Sequence, residues 1–210
     1  MLAIIDYGVG NLFSLQSSLK AIGQDVIVSS DAEEIRRADR LILPGVGAYE
    51  DAAGLLRESG MAQLVIEQAG LGKPLMGICL GMQLLLDRSY EYGEHEGLGL
   101  IPGEVVPIRD AVSEEYKIPH IGWNALELVT DKEGNRSELF KYTENGDHVY
   151  FVHSYYATDC DEHCAALTEY GSMLTAAVAK DNILGCQFHP EKSGDVGLKI
   201  LKAFCEMEGR

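Results

Sequence analysis

The sequence predicts an α/β fold: a mostly parallel central sheet, helices on both faces, and a small antiparallel extension. Three observations carry this. Short apolar runs alternate with helical patterns through the first ninety residues. The run 75–78 has the look of a buried strand. Beyond residue 105 the helical pattern gives way to successive strand-like runs separated by turn signals, until one last helix closes the chain.

The elements follow in order. Residues 2–5 form the first strand. Leu12, Leu15, Leu19 and Ile22 then share one helical face. Residues 26–28 make a second strand, and Asp31 is placed to cap a short helix, with Glu34 at capping-box spacing. A third strand, 41–43, is closed by Pro44-Gly45-Val46-Gly47, and helices are expected near 48–57 and 61–69. The strand 75–78 leads into a helical stretch at 82–86. In the second half, strands are expected at 105–108, 125–129, 149–156, 165–170, 174–179 and 183–188. Turns are expected at Glu133-Gly134-Asn135 and Glu144-Asn145-Gly146-Asp147. The last helix begins near Ser193 and buries Val196, Ile200, Leu201 and Phe204. No linker, repeat or low-complexity segment interrupts the 210 residues, which read as one domain, 1–210.

Composition narrows the function. A net charge of −16, from 17 basic and 33 acidic residues, argues against nucleic acid and anionic membrane as partners. It suits docking to a basic protein surface, or only a solvated acidic exterior. The N-terminus has no basic, apolar leader pattern, and no run approaches the ~18 apolar residues of a membrane span. Five cysteines form no disulfide framework, so a reducing, cytoplasmic setting is expected.

The chemistry centres on Gly77-Ile78-Cys79-Leu80-Gly81. Gly-x-Cys-x-Gly at a strand-to-helix switch is a nucleophile elbow with sulfur in place of the serine oxygen. The glycines remove Cβ atoms from a tight turn, and the following helix start favours a thiolate. A lone cysteine is usually core, but the paired glycines weigh against that here. A thiol nucleophile needs a base, and the base needs an orienting group. In Gln187-Phe188-His189-Pro190-Glu191, proline pushes His189 into extended backbone. Residues two apart then point the same way, which places Glu191 beside the imidazole. His120 and His153 have no carboxylate two residues on and are poorer bases. Acyl transfer also needs N–H donors at the developing oxyanion. Leu80 N–H is one, and the glycine-rich strand end at 44–47 is a second source or merely a tight turn.

Taken together, the segments 44–47, 77–83 and 189–191 resemble the class I (triad) glutamine amidotransferases. Ile5-Asp6-Tyr7-Gly8-Val9-Gly10-Asn11-Leu12, Pro119-His120-Ile121-Gly122-Trp123-Asn124 and Tyr150-Phe151-Val152-His153-Ser154-Tyr155-Tyr156 resemble, more narrowly, the glutaminase subunits of imidazole glycerol phosphate synthase. The resemblance spans essentially the whole chain and implies a flavodoxin-like amidotransferase fold. It implies Cys79 as nucleophile, His189 as base and acid, Glu191 as its orienter, and Val46 and Leu80 as oxyanion donors. It places Gly45, Gln83, Glu91, Ser154 and Tyr155 around the glutamine, with Glu91 holding its amino group. It implies a Gly45–Val46 peptide that must reorient before its N–H completes the hole. It further implies a separate (β/α)8-barrel cyclase subunit that receives the ammonia and makes imidazole glycerol phosphate and AICAR in histidine biosynthesis. Gly10, Asn11, Trp123 and Lys192 would meet that partner, joined by Tyr150 as an aromatic of the anchoring type. No cofactor and no metal are expected.

Other features read more plainly. Asp159-Cys160-Asp161-Glu162-His163-Cys164 offers close-set ligands but no second Cys/His pair, so a polar hairpin tip is expected rather than zinc. Cys186 and Cys205 read as core, and His95 as a solvated loop. Two rivals stand beside the histidine-pathway glutaminase. One is another enzyme of the same fold, such as the pyridoxal phosphate glutaminase or a γ-glutamyl hydrolase. The other is a non-catalytic scaffold, against which the intact Cys79, His189 and Glu191 set argues.

Overall fold

In a computed structural model, residues 1–131 and 134–209 are described. The expected turn residue Glu133 therefore lies outside the described residues. The first half runs β1 (Leu2–Ile5), α1 (Leu12–Ala21), β2 (Val26–Ser29), α2 (Ala32–Arg37), β3 (Arg40–Leu43), α3 (Tyr49–Glu58), α4 (Met61–Gly70), β4 (Leu75–Ile78) and α5 (Leu80–Leu84). The second half holds β5 (Arg88–Ser89), β6 (His95–Glu96), β7 (Glu104–Pro107), β8 (His120–Ala125), β9 (Glu127–Leu128), β10 (His148–His153), β11 (Tyr155–Thr158), β12 (Cys164–Glu169), β13 (Met173–Lys180), β14 (Ile183–Cys186) and α6 (Gly194–Cys205).

The main sheet has the order β2-β1-β3-β4-β14-β13-β12-β9. Its first five strands are parallel, and β13, β12 and β9 extend it antiparallel. The expected α/β architecture and extension are both present. Two smaller sheets stand beside it, the hairpin β10-β8 and the four-stranded β11-β7-β5-β6.

Burial on both faces explains the unbroken apolar strands. Along β1, Ala3 and Ile5 join one core with Ile35, Leu56 and Val65, while Leu2 and Ile4 join the other with Leu15, Leu19 and Phe204. Asp31 caps α2 by accepting from the N–H groups of Glu33 and Glu34. The reciprocal half of a capping box is absent, because the Glu34 carboxylate instead accepts the Ser29 hydroxyl.

Several boundaries differ from expectation. The helix after Cys79 starts directly at Leu80 and ends at Leu84, rather than spanning 82–86. The run 149–156 is two strands, not one. Ser154 ends the pairing of β10 with β8, its carbonyl accepts the Ile108 N–H, and β11 then pairs with β7 in another sheet. The strand expected at 125–129 divides between the end of β8 and β9, with the fully buried Leu126 between them. Strand β7 gives way at Ile108 to a 3-10 turn, and β14 stops at Cys186. Val196 is only half-buried, and Gly197, Ile200, Leu201, Ala203, Phe204 and Cys205 form the buried face of α6. His95 is not a solvated loop residue: it lies half-buried in β6, its ring 6.4 Å from Tyr49. Cys160 is buried, with Sγ 3.9 Å from the Thr175 hydroxyl, so the 159–164 segment is not wholly a polar tip. Cys186 and Cys205 are core, as expected.

Candidate active site

Cys79 sits between the end of β4 and the start of α5 with φ 55° and ψ −112°. A non-glycine residue at positive φ is strained, and such strain gathers at functional turns. Backbone contacts impose the conformation. The Cys79 N–H donates to the Cys186 carbonyl at 2.8 Å, continuing the ladder between β4 and β14. A Cβ on Gly77 would lie 2.6 Å from the Gly81 carbonyl oxygen, and one on Gly81 only 1.9 Å from the Leu43 carbonyl oxygen. Gly185, paired with Gly77 across the sheet, leaves room for Met82 in the same way. The elbow is thus pressed onto the sheet at a depth that side chains would forbid.

The 44–47 strand end nests against the same turn. A Cβ on Gly45 would come within 2.6 Å of the Gly81 nitrogen. The Tyr7 hydroxyl donates to the Pro44 carbonyl at 2.7 Å, tying the β1 end to this segment. Burial and the nearby Cys79 raise the Tyr7 pKa, so the phenol stays protonated as that donor. Val46 is 40% exposed, so its side chain is open to solvent near Cys79.

His189 is extended, at φ −100° and ψ 98°. Glu191 does not reach it along an extended chain as expected. Pro190–Lys192 form a 3-10 turn, and that turn carries the carboxylate back, with His189 Nδ1 2.8 Å from Glu191 Oε1. Both side chains are almost fully buried. A carboxylate only accepts, so Nδ1 carries the proton and Nε2 is left for the thiol. Burial alone would lower the His189 pKa. Hydrogen bonds and charge from Cys79 and Glu191 outweigh it and hold the value at about 9. Glu191 Oε2 is buried with no hydrogen-bond partner among the described residues. A cavity of about 10 Å³, room for one water, lies among Asn11, Gly45, Val46, His189 and Glu191.

A buried polar chain continues from the sulfur. Gln187 Nε2 lies 3.7 Å from Cys79 Sγ, and Gln187 Oε1 accepts from Gln83 Nε2 at 2.9 Å. Gln83 Nε2 also donates to the Tyr155 carbonyl at 3.1 Å. That carbonyl takes a second donor, His153 Nδ1, at 2.9 Å, and His153 Nε2 faces His120 Nδ1 at 2.9 Å. His120 is stacked between Phe151 and Tyr170. Burial lowers both histidines, His153 to about 3, so both stay neutral at physiological pH.

A pocket of about 300 Å³ opens over the sulfur. Its lining brings together Val46, Cys79, Leu80, Gln83, Glu91, Ser154, Tyr155 and His189 from distant parts of the chain. The Glu91 carboxylate accepts the Tyr49 N–H at 2.9 Å, and its pKa is raised by burial, partly offset by that bond. Gly45 and Glu191 lie just behind this pocket, around the water-sized cavity. Larger clefts of about 560 and 900 Å³ lie elsewhere, along 129–131 with 135–137 and beside α6. They hold neither Cys79 nor His189.

Of the expected partner-facing residues, Trp123 is 53% exposed and Lys192 exposed, while Tyr150 is half-buried. Trp123 and Tyr150 pair across the β8–β10 hairpin, their rings edge to face at 5.9 Å, and Lys192 Nζ sits 5.8 Å from the Tyr150 ring centre. Gly10 packs against Pro44, and Asn11 lines the cavity with Glu191. Sequence reasoning missed Gln187 and the tie from Tyr7 to Pro44. The signal for Gln187 was its place two residues before His189, just past an apolar strand. Pro119 and Val152 also line the pocket unanticipated.

A strained cysteine at a strand-to-helix elbow, a buried His–Glu pair and a doubly wound sheet define a thiol-dependent amidase type of site. The chain belongs to the class I glutamine amidotransferase family, matching Glutamine amidotransferase class-I over residues 3–207. It is 49% identical over 206 residues to imidazole glycerol phosphate synthase subunit HisH of Lactococcus lactis subsp. lactis (strain IL1403), covering 98% of each chain. It is 48% identical over 214 residues to the protein of the same name from Geobacillus sp. (strain WCH70), covering 100% of this chain and 99% of that one. Among solved structures, a glutamine amidotransferase crystal structure superposes with TM-score 0.73 at 21% identity, over 97% of this chain and 98% of the other. PurLQS from Thermotoga maritima gives 0.72 at 20% identity, over 97% and 96%. These two likenesses bear on the fold.

Proposed function

We propose that this chain is the glutaminase subunit of imidazole glycerol phosphate synthase. It hydrolyses glutamine to glutamate and ammonia and delivers the ammonia to a separate cyclase subunit in histidine biosynthesis. The observation that carries this reading is the convergence of Cys79, His189 and Glu191 beneath one pocket, in a chain about half identical to HisH subunits over nearly its full length.

The Cys79 thiolate attacks the side-chain amide carbon of glutamine. The oxyanion is met by the Leu80 N–H and, once the Gly45–Val46 peptide presents it, the Val46 N–H. His189 Nε2 protonates the departing ammonia and leaves a glutamyl thioester. His189 then takes a proton from water as that water attacks the thioester, which releases glutamate. Glu191 keeps the imidazole in the required tautomer. Gln83, Glu91, Ser154 and Tyr155 line the space for the amino-acid end, with Glu91 as counter-charge to the ammonium.

The partner is a cyclase of (β/α)8-barrel form, and the surface of Gly10, Asn11, Trp123, Tyr150 and Lys192 is where it docks. The work is cytoplasmic. Consistent with that, no helix among the described residues is long and apolar enough to cross a membrane.

The test is a glutaminase assay of the chain alone and with the cyclase subunit and its substrate analogue. Partner addition should raise kcat far more than it changes KM, because an oxyanion donor acts in the transition state. Cys79→Ala should abolish glutamine-dependent cyclisation and leave ammonia-dependent cyclisation intact. Persistence of glutamine-dependent turnover in that variant overturns the reading.

A further inference from the structure

Two side chains partner the Cys79 sulfur, and the proposed chemistry uses only His189. The other is Gln187, which is fully buried and two residues before the base. Its main-chain N–H donates to Ala176 at 2.8 Å, so its position is set by the sheet.

The direction of its amide is fixed by the far end of the polar chain. The Tyr155 carbonyl can only accept, so Gln83 must present Nε2 to it. Gln83 Nε2 also meets Gln187, which must therefore offer Oε1. The remaining end of the Gln187 amide, Nε2, is then turned on Cys79 Sγ at 3.7 Å. His153 strengthens the anchor by donating to the same Tyr155 carbonyl.

We infer that Gln187 is a catalytic residue of this site, whose side-chain N–H donates to the Cys79 sulfur and stabilises the attacking thiolate. The inference rests on the reading of Cys79 as nucleophile, and it gives the buried Gln83–Tyr155–His153 chain a task, which is to orient that donor. As the sulfur becomes a neutral thioester the hydrogen bond weakens, so Gln187 favours the thiolate over the acylated state. The same donor assists the return of the thiolate as a leaving group in the second step.

The experiment is the pH profile of Cys79 alkylation by iodoacetamide in the full chain, with site occupancy read by mass spectrometry. Two substitutions are compared. Gln187→Met removes donor and acceptor at similar volume. Gln187→Glu keeps an acceptor for Gln83 but turns a carboxylate on the sulfur. At pH 7, Gln187→Met should alkylate about five- to tenfold more slowly than wild type, the scale of one lost hydrogen bond. Gln187→Glu should be slower still, and all rates should converge at strongly alkaline pH. Overlaid profiles for both variants overturn the inference.

The unsubstituted chain offers a second measurement that needs no folded variant. The Gln187 side-chain amide resonance should shift as Cys79 ionises and again when it is alkylated. A resonance indifferent to both also overturns the inference. Neither readout uses glutamine. A chain that alkylates as described yet leaves glutamine untouched contradicts the proposed function alone. One that hydrolyses glutamine with overlaid profiles contradicts only the role of Gln187.

Discussion

The main-chain N–H of His189 donates to the carbonyl of Tyr150 at 2.9 Å. One residue is the proposed base of the site, and the other carries the aromatic surface where Trp123 and Lys192 meet. The Tyr150 N–H in turn donates to Ser193 Oγ, whose hydroxyl donates back to the His189 carbonyl at 2.6 Å. A push on β10 from outside therefore reaches His189 through one main-chain hydrogen bond and the buried Ser193 hydroxyl.

That surface can be tested apart from the chemistry. Trp123 is half-exposed and packs edge to face on Tyr150. Trp123→Ala should weaken binding of the cyclase subunit about tenfold to a hundredfold, the range of an aromatic anchor. Calorimetric titration measures this, and the melting temperature of the free chain should be little changed. Unaltered affinity would place the partner on another face.

Glu191 and His189 should behave as one unit. Glu191→Gln is expected to lower glutamine hydrolysis less than His189→Ala, and the double variant should be little slower than His189→Ala alone, because groups acting together are non-additive. Steady-state rates of the three variants in the partner complex decide this, and losses that multiply would count against the pairing.

The two buried histidines predict opposite pH limbs. His153 is lowered to about 3 from 6.5. Its contribution to stability is present above pH 6.5 and is lost as pH falls toward 3, on the order of 3 kcal/mol at pH 4. His189 is raised from 6.5 to about 9, so its contribution is present below pH 6.5 and is lost as pH rises through 9. Thermal melts should therefore peak near pH 6.5. His153→Asn should flatten the acid limb and His189→Asn the alkaline one. A variant that leaves its limb as steep as wild type rejects that assignment.

Glycines of contrasting kind give a stability test. Gly81→Ala drives a methyl onto the Leu43 carbonyl, where a Cβ would lie 1.9 Å from the oxygen. A cost above ~3 kcal/mol is expected. Gly54→Ala, within α3 with open space around it, should instead stabilise by up to ~1 kcal/mol. Chemical denaturation of both reads the difference directly.

What the sequence disclosed follows from how each residue earns its place. Strands β1 to β4 were legible because both faces are buried and apolar residues run without a break. Cys79, His189 and Glu191 were legible because glycine and proline mark their backbone. The split at Ser154 was hidden, since residues on both sides suit a strand equally and only the change of pairing partner divides them. The 3-10 turn that returns Glu191 to His189 was read as extended chain, because proline constrains the residue before it more visibly than those after. Gln187 offered only its place two residues before His189, for its setting depends on Gln83 and Tyr155, which are far away in sequence. His95 looked solvated among acidic neighbours, and only the packing against Tyr49 shows otherwise.

The nesting of Gly45, Gly77, Gly81 and Gly185 has a consequence for how such a protein can diverge. Cys79 is located by main chain lying on main chain, so no series of small side-chain changes can move it by degrees. A lineage, or a laboratory library, is left to explore the rim set by Glu91, Ser154, Tyr155 and the exposed Val46. New acyl donors and new partners would be acquired there, around a sulfur that stays where the sheet put it.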